Sequence, residues 1–233
     1  MKRLMTLQFL PILLLALAFE SSAQDKKASP RVALMPFNEY VGTWQGDGKV
    51  KKDIWSETIE WSWKYKGDDG WLIFKIKDGK FLKGGELRFL PDQKLYQLTA
   101  VDAKDQKLVY EGKIEKEYLT LFRTDEKTKE RQRVQMFNAG DGVIFNYRVS
   151  TAKEGAKLFP EYEVKARLDA DSWPPTFINN KRVCVVSGGH GTMLVNFKGQ
   201  NYFVCCSGCR DAFQENPEKW IKEYETNNKK DKK

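Results

Sequence analysis

Histidine is almost absent from this chain, which carries a single one, His190, among 233 residues. Cysteine is missing until residue 184 and then occurs four times in a short stretch, as Cys184, Cys205, Cys206 and Cys209. These two absences deprive the long N-terminal part of the side chains that most often hold haem iron, so haem is not expected there. A Ser–His–Asp group is excluded from the same region unless it borrows His190. No glycine-rich loop of the phosphate-cradling kind occurs. Acids such as Glu57, Glu60 and Glu86 are expected on exposed strand faces, where they form no recognisable catalytic pair. With no catalytic set in view, the chain is expected to be a binding protein and not an enzyme.

Long apolar runs are lacking too, except at the start. Lys2 and Arg3 precede an apolar stretch from Leu7 to Phe19, interrupted by Gln8 and Pro11 and closed by Ser21-Ser22-Ala23. A basic start, a short apolar middle and small residues describe a secretory signal peptide over residues 1–23. The run falls short of the roughly 20 apolar residues that a membrane anchor needs, and no cysteine follows the cleavage point to carry a lipid. The expected protein is exported, to the periplasm or beyond, without stable membrane insertion. Residues 24–31 are polar and expected to be flexible. The formal net charge is +8, but lysines and acids are interspersed, and Lys229, Lys230, Lys232 and Lys233 end the chain. This balance reads as solubility plus a basic disordered tail over residues 226–233, with no nucleic-acid partner.

What the sequence has in abundance is short alternating segments. Leu34, Phe37, Tyr40 and Val41 have helical spacing and lead into Gly42-Thr43-Trp44. Ten strand-like stretches follow, beginning with Trp44–Lys51 and Ile54–Tyr65 and ending with Glu161–Leu168. Turn signals such as Gly67-Asp68-Asp69-Gly70, Asp78-Gly79 and Pro91-Asp92 separate them. Ile59, Trp61, Trp63 and Tyr65 fall on one face of their strand, and Leu72, Phe74 and Ile76 repeat the pattern. One apolar face per strand is what a barrel interior requires, so residues 34–168 are predicted to form an antiparallel up-and-down β-barrel. Its aromatic interior is either plain core or the lining of a site for a small apolar ligand.

Residues 169–182 carry Pro174-Pro175 and no periodicity, which marks a stiff linker. Beyond it, residues 183–225 read as a small ββα module: a glycine-rich loop, a hairpin with Lys198-Gly199-Gln200 at its tip, and a helix starting near Cys209. Asn216-Pro217 opens a second helical turn with Trp220, Ile221 and Tyr224 on one face. Thiolates gathered at a hairpin end and a helix start form a metal-site layout, because soft ligands must converge on one point and a helix N-terminus favours thiolate over thiol. Cys206-x-x-Cys209 has ligand spacing of its own. Neighbours on an extended backbone face opposite ways, so Cys205 and Cys206 are not expected to play equal roles. His190 is a further candidate ligand or a solvated loop residue, and Met193 a thioether donor or core. The alternative for the four cysteines in an exported protein is a pair of disulfides. The core is thin for its length, so the module is expected to need a metal, a bridge or the barrel to stay folded.

The run Cys184-Val185-Val186-Ser187-Gly188, then Tyr202-Phe203-Val204-Cys205-Cys206-Ser207-Gly208-Cys209-Arg210-Asp211-Ala212-Phe213, then Asn216-Pro217-Glu218-Lys219-Trp220, resembles the YHS/TRASH-type metal-binding domain. That resemblance implies Cys184, Cys205 and Cys209 as ligands, with Cys206 a fourth ligand or redox partner. It implies heavy-metal binding, sensing or trafficking; the ion expected from the soft donors is Cu or Zn, held for sensing, storage or transfer with a metal-handling protein as partner. The stretch Phe37–Gly48, with Gly42-Thr43-Trp44, is similar to the opening of calycin and nitrobindin-like barrels. The expected architecture is therefore mainly β, a calycin-like barrel followed by a metal-binding module. The competing expectation is a small-ligand barrel with a disulfide-stapled appendage.

Overall fold

The computed structural model describes residues 29–140, 142–169 and 182–230. The signal peptide expected over residues 1–23 and most of the expected linker lie outside the described residues. Ten strands follow one another as an antiparallel meander. They are β1 (Gly42–Val50), β2 (Asp53–Lys66), β3 (Asp69–Lys77), β4 (Leu82–Leu90) and β5 (Leu95–Asp102). The second half comprises β6 (Lys107–Glu115), β7 (Tyr118–Thr124), β8 (Arg131–Ala139), β9 (Ile144–Ala152) and β10 (Phe159–Leu168). Each strand pairs with its neighbours in sequence, and β1 pairs with β10, so the sheet closes into a barrel. Closure removes the open edges that a flat sheet would leave to aggregate.

The alternation of apolar residues becomes an inside and an outside. Ile59, Trp61 and Trp63 of β2 are buried, and β3 places Ile76, Phe74 and Leu72 opposite them. Leu87, Leu98, Leu121, Val134, Phe145, Val164 and Trp44 continue the interior round the barrel. Removing side chains of this size from water contributes about 1.5–3 kcal/mol each. The interior face is not wholly apolar. Glu57, expected on an exposed face, instead shares the inward face of β2 and is only 3% exposed. Trp55 Nε1 and the Tyr147 hydroxyl donate to its two carboxylate oxygens at 2.7 and 2.8 Å. Burial raises its pKa, with these two donors opposing. The carboxylate is tolerated inside because both oxygens are satisfied.

One end of the barrel is closed by α1 (Pro30–Leu34) and the 3-10 turn Met35–Tyr40 that continues it. Leu34, Phe37 and Tyr40 are buried, the Trp44 indole donates to the Tyr40 carbonyl at 2.8 Å, and the Tyr96 hydroxyl donates to the Ala33 carbonyl at 2.9 Å. Helix therefore starts at Pro30, inside the stretch expected to be flexible.

The C-terminal module is a hairpin, β11 (Met193–Phe197) and β12 (Gln200–Val204), followed by α2 (Ser207–Glu215) and α3 (Pro217–Lys230). Asn216 caps α3 through its side-chain oxygen, which accepts the Lys219 N–H at 3.2 Å with Pro217 in the first turn. α3 runs to Lys230, so residues 226–230 are helical where a disordered tail was expected. Among the described residues no helix is long and apolar enough to cross a membrane.

Candidate metal centre

Cys184 is presented by a tight turn after a β-bridge between Val183 and His190. Its N–H donates to the Gly189 carbonyl at 2.7 Å and its carbonyl accepts the Gly188 N–H at 2.9 Å. Gly188 has φ 77°, a left-handed conformation that a β-carbon disfavours. This fold-back aims the Ser187 N–H at the Cys184 sulfur, 3.4 Å away. Val185 N–H donates to the Phe203 carbonyl at 2.8 Å, stitching the turn alongside β12. The chain leaves β12 through Cys205 and enters α2 with Cys206 at its N-cap and Cys209 in its first turn.

These routes bring Cys184, Cys205 and Cys209 together, with their sulfur atoms all within 4.8 Å of one another. Cys205 and Cys209 are 3.4 Å apart, and the Ser187 hydroxyl lies 3.3 Å from Cys205. Cys184 and Cys209 have no solvent exposure, whereas Cys205 is half-buried. All four cysteines are free thiols. Among the described residues no other His, Cys, Asp or Glu joins this three-sulfur group. The site can hold a metal ion, and its three soft donors fit a thiophilic one.

Cys206 sits 3.8 Å from Cys205 but points to the barrel, where it accepts the Trp63 backbone N–H at 3.4 Å. The Cys205 and Cys209 thiols donate toward it and bring its pKa down to about 4, with burial opposing and the Trp63 N–H assisting. Its place at a helix N-terminus acts in the same direction. Burial holds the Cys209 thiol up, and Cys184 contributes to the same effect. At Cys184 burial works upward, but the neighbouring Cys205 and Cys209 sulfurs and the Ser187 N–H outweigh it and the group is held low. His190 is exposed and stands outside the sulfur group, and Met193 is half-buried in β11.

The barrel and its N-terminal turn supply contacts to this group that spacing along the chain did not indicate. The Tyr65 hydroxyl lies 3.6 Å from the Cys209 sulfur, and burial first, then Cys209, pushes its pKa up. Asn38 accepts the Trp63 indole N–H at 2.9 Å and donates to the Ser187 carbonyl at 3.1 Å. Arg31 donates to the Val186 carbonyl at 2.9 Å, pairs with Glu223 at 2.7 Å and stacks over Trp220. Lys219 pairs with Asp68 of the β2–β3 turn. An open cavity of about 440 Å³ lies at this junction, lined by Gly67, Asp68, Ala212, Glu215, Asn216, Lys219 and Trp220, and none of the sulfurs faces it. One signal did exist in the sequence: the second alternating segment is much longer than the first, so its end had to find another partner.

The described residues thus define a closed antiparallel β-barrel carrying a small cysteine-cluster module. No family model matches the chain, and no curated protein matches it. Among solved structures it is similar to the crystal structure of Rv2717c from M. tuberculosis, with 15% identity and a TM-score of 0.38. That match covers 59% of this chain and 97% of the other.

Proposed function

We propose that this is an exported metal-binding protein, not an enzyme, which holds one soft transition-metal ion through Cys184, Cys205 and Cys209. The observation that carries this reading is the convergence, within 4.8 Å, of three sulfurs from the turn ahead of the hairpin, the end of β12 and the first turn of α2. Three sulfur donors favour Cu(I), with Zn the second candidate when a further donor completes a tetrahedron. The resemblance to YHS/TRASH modules supports a role in metal sensing, storage or trafficking, with delivery to or from a metal-handling protein. The leader-like residues 1–23 support a periplasmic or secreted location.

The test is metal analysis of the reduced protein beside a free-thiol count. About one ion per chain is expected, falling to none in Cys184→Ser and in Cys209→Ser. Retention of the ion in both variants would overturn the ligand assignment. Acidification should also release the ion, because protons compete for the ligand thiolates.

A second reading has one observation in its favour. The indole N–H of Trp61, buried inside the barrel, has no hydrogen-bond partner. A small, mainly apolar ligand with one acceptor would satisfy it. Quenching of tryptophan fluorescence by such a ligand, lost in Trp61→Phe, would establish this second site.

A further inference from the structure

The sulfur group is walled on one side by the barrel and not by its own module. β2 outruns β1: the register pairs Trp61 with Gly42, and residues 62–66 extend past the start of β1. An overhanging strand presents backbone N–H and C=O groups that need partners. The start of α2 lies directly against this overhang. The Trp63 N–H finds the Cys206 sulfur, and Gly208 comes so close that a β-carbon there would stand 1.7 Å from the Trp63 carbonyl oxygen. Two residues along the same face of β2, the Tyr65 ring is held between Trp63 and Trp220, with centroids 5.6 and 5.5 Å away. Its hydroxyl is thereby aimed at Cys209.

We propose that Tyr65 is a positioning residue of the metal centre, its hydroxyl donating to the Cys209 sulfur from the barrel, so that metal affinity and docking of the module on β2 are one coupled property. This rests on the metal-binding reading. A ligating cysteine is a thiolate, and a charged sulfur is a stronger acceptor than a neutral thiol, so this contact strengthens in the loaded site. Outer-sphere partners of this kind orient the ligand and withdraw charge from it, and losing one costs about 10–100-fold in affinity. Metal binding favours whichever arrangement completes the site, so loading also clamps the start of α2 onto the overhang.

The experiment titrates the full-length reduced protein with Cu(I) against a competing chelator and records the thiolate-to-metal ultraviolet absorption. Tyr65→Phe keeps the ring between Trp63 and Trp220 and removes only the hydroxyl. The expected result is unchanged stoichiometry, affinity weaker by about tenfold or more, and a shifted absorption band. Wild-type affinity with an unshifted band would overturn the role of Tyr65 while leaving the metal site standing. Failure of the wild-type protein to take up Cu(I) would overturn both. Hydrogen exchange on the wild-type chain gives a second measure that needs no variant. The Trp63 amide should exchange more slowly in the Cu(I)-loaded protein, and an unchanged rate would refute the coupling.

Discussion

The barrel and the C-terminal module solve the same problem by different means. The barrel closes its sheet on itself and fills the inside with Trp44, Trp61, Trp63, Phe145 and a shell of leucines. Every strand there has two neighbours, and the apolar contacts are spread over the whole chain from Leu34 to Leu168. The module has a two-stranded sheet and two helices, with Phe213, Trp220, Val204 and three of its cysteines, Cys184, Cys206 and Cys209, among its buried groups. A hairpin of this size is marginal alone. Its buried sulfur group and its contact with the β2 overhang add to that small core, so under the proposed function stability and metal binding share the same atoms there.

That contrast predicts a graded series of effects. The largest is expected from Trp61→Ala, which opens a cavity beside Phe74, stacked on it at 4.6 Å. It should cost about 3–5 kcal/mol, read as a lowered midpoint in denaturant titration of the whole chain. An unaffected midpoint would mean that the barrel is not the stabilising unit. Gly208→Ala comes next, because the new β-carbon collides with backbone and not with a yielding side chain. A cost of about 1–3 kcal/mol is expected, confined to the module and visible as faster proteolysis near α2 while the barrel core stays protected.

Cys206→Ala should be milder. It removes the acceptor of the Trp63 N–H at about 1 kcal/mol and should leave metal stoichiometry intact. Loss of the ion in this variant would promote Cys206 to a ligand. The smallest effect lies far from the module, at the β7–β8 turn. Asp125 accepts the Thr128 N–H at 2.9 Å and pairs with Arg123 at 2.7 Å, and these contacts lower its pKa to about 2. A depressed carboxylate adds stability above its unfolded value of about 3.9 and loses it as pH falls through 2. Nuclear magnetic resonance titration should therefore find Asp125 still ionised at pH 3, and Asp125→Asn should flatten the acid limb of the stability curve slightly.

Much of the barrel was legible because alternation has only two outcomes. Once Trp61 faces inward, Ile59 and Trp63 must too, and the turns at Gly67-Asp68 and Asp78-Gly79 separate the strands locally. Glu57 was misread because a carboxylate is ordinarily placed outside, yet it shares the parity of Ile59. The inside of β2 tolerates it only through Trp55 and Tyr147, and Tyr147 lies 90 positions along the chain. The helical run to Lys230 was missed because a lysine-rich end looks solvated whether it is helical or not.

At the candidate centre, the local sequence by itself determined that Cys184, Cys205 and Cys209 were available at the two ends of a hairpin, and that Cys205 and Cys206 must face different ways. The resemblance implied Cys205 as the one that faces the group, and the tertiary structure brings that residue to Cys184 and Cys209; what walls the group in was decided by tertiary structure alone. The reason is one of registry: β1 pairs with β2 only as far as Gly42 opposite Trp61, so residues 62–66 of β2 are left with an open edge on that side. That edge then captures the start of α2, turns Cys206 to Trp63 and sets Tyr65 against Cys209, contacts that no spacing along the chain encodes.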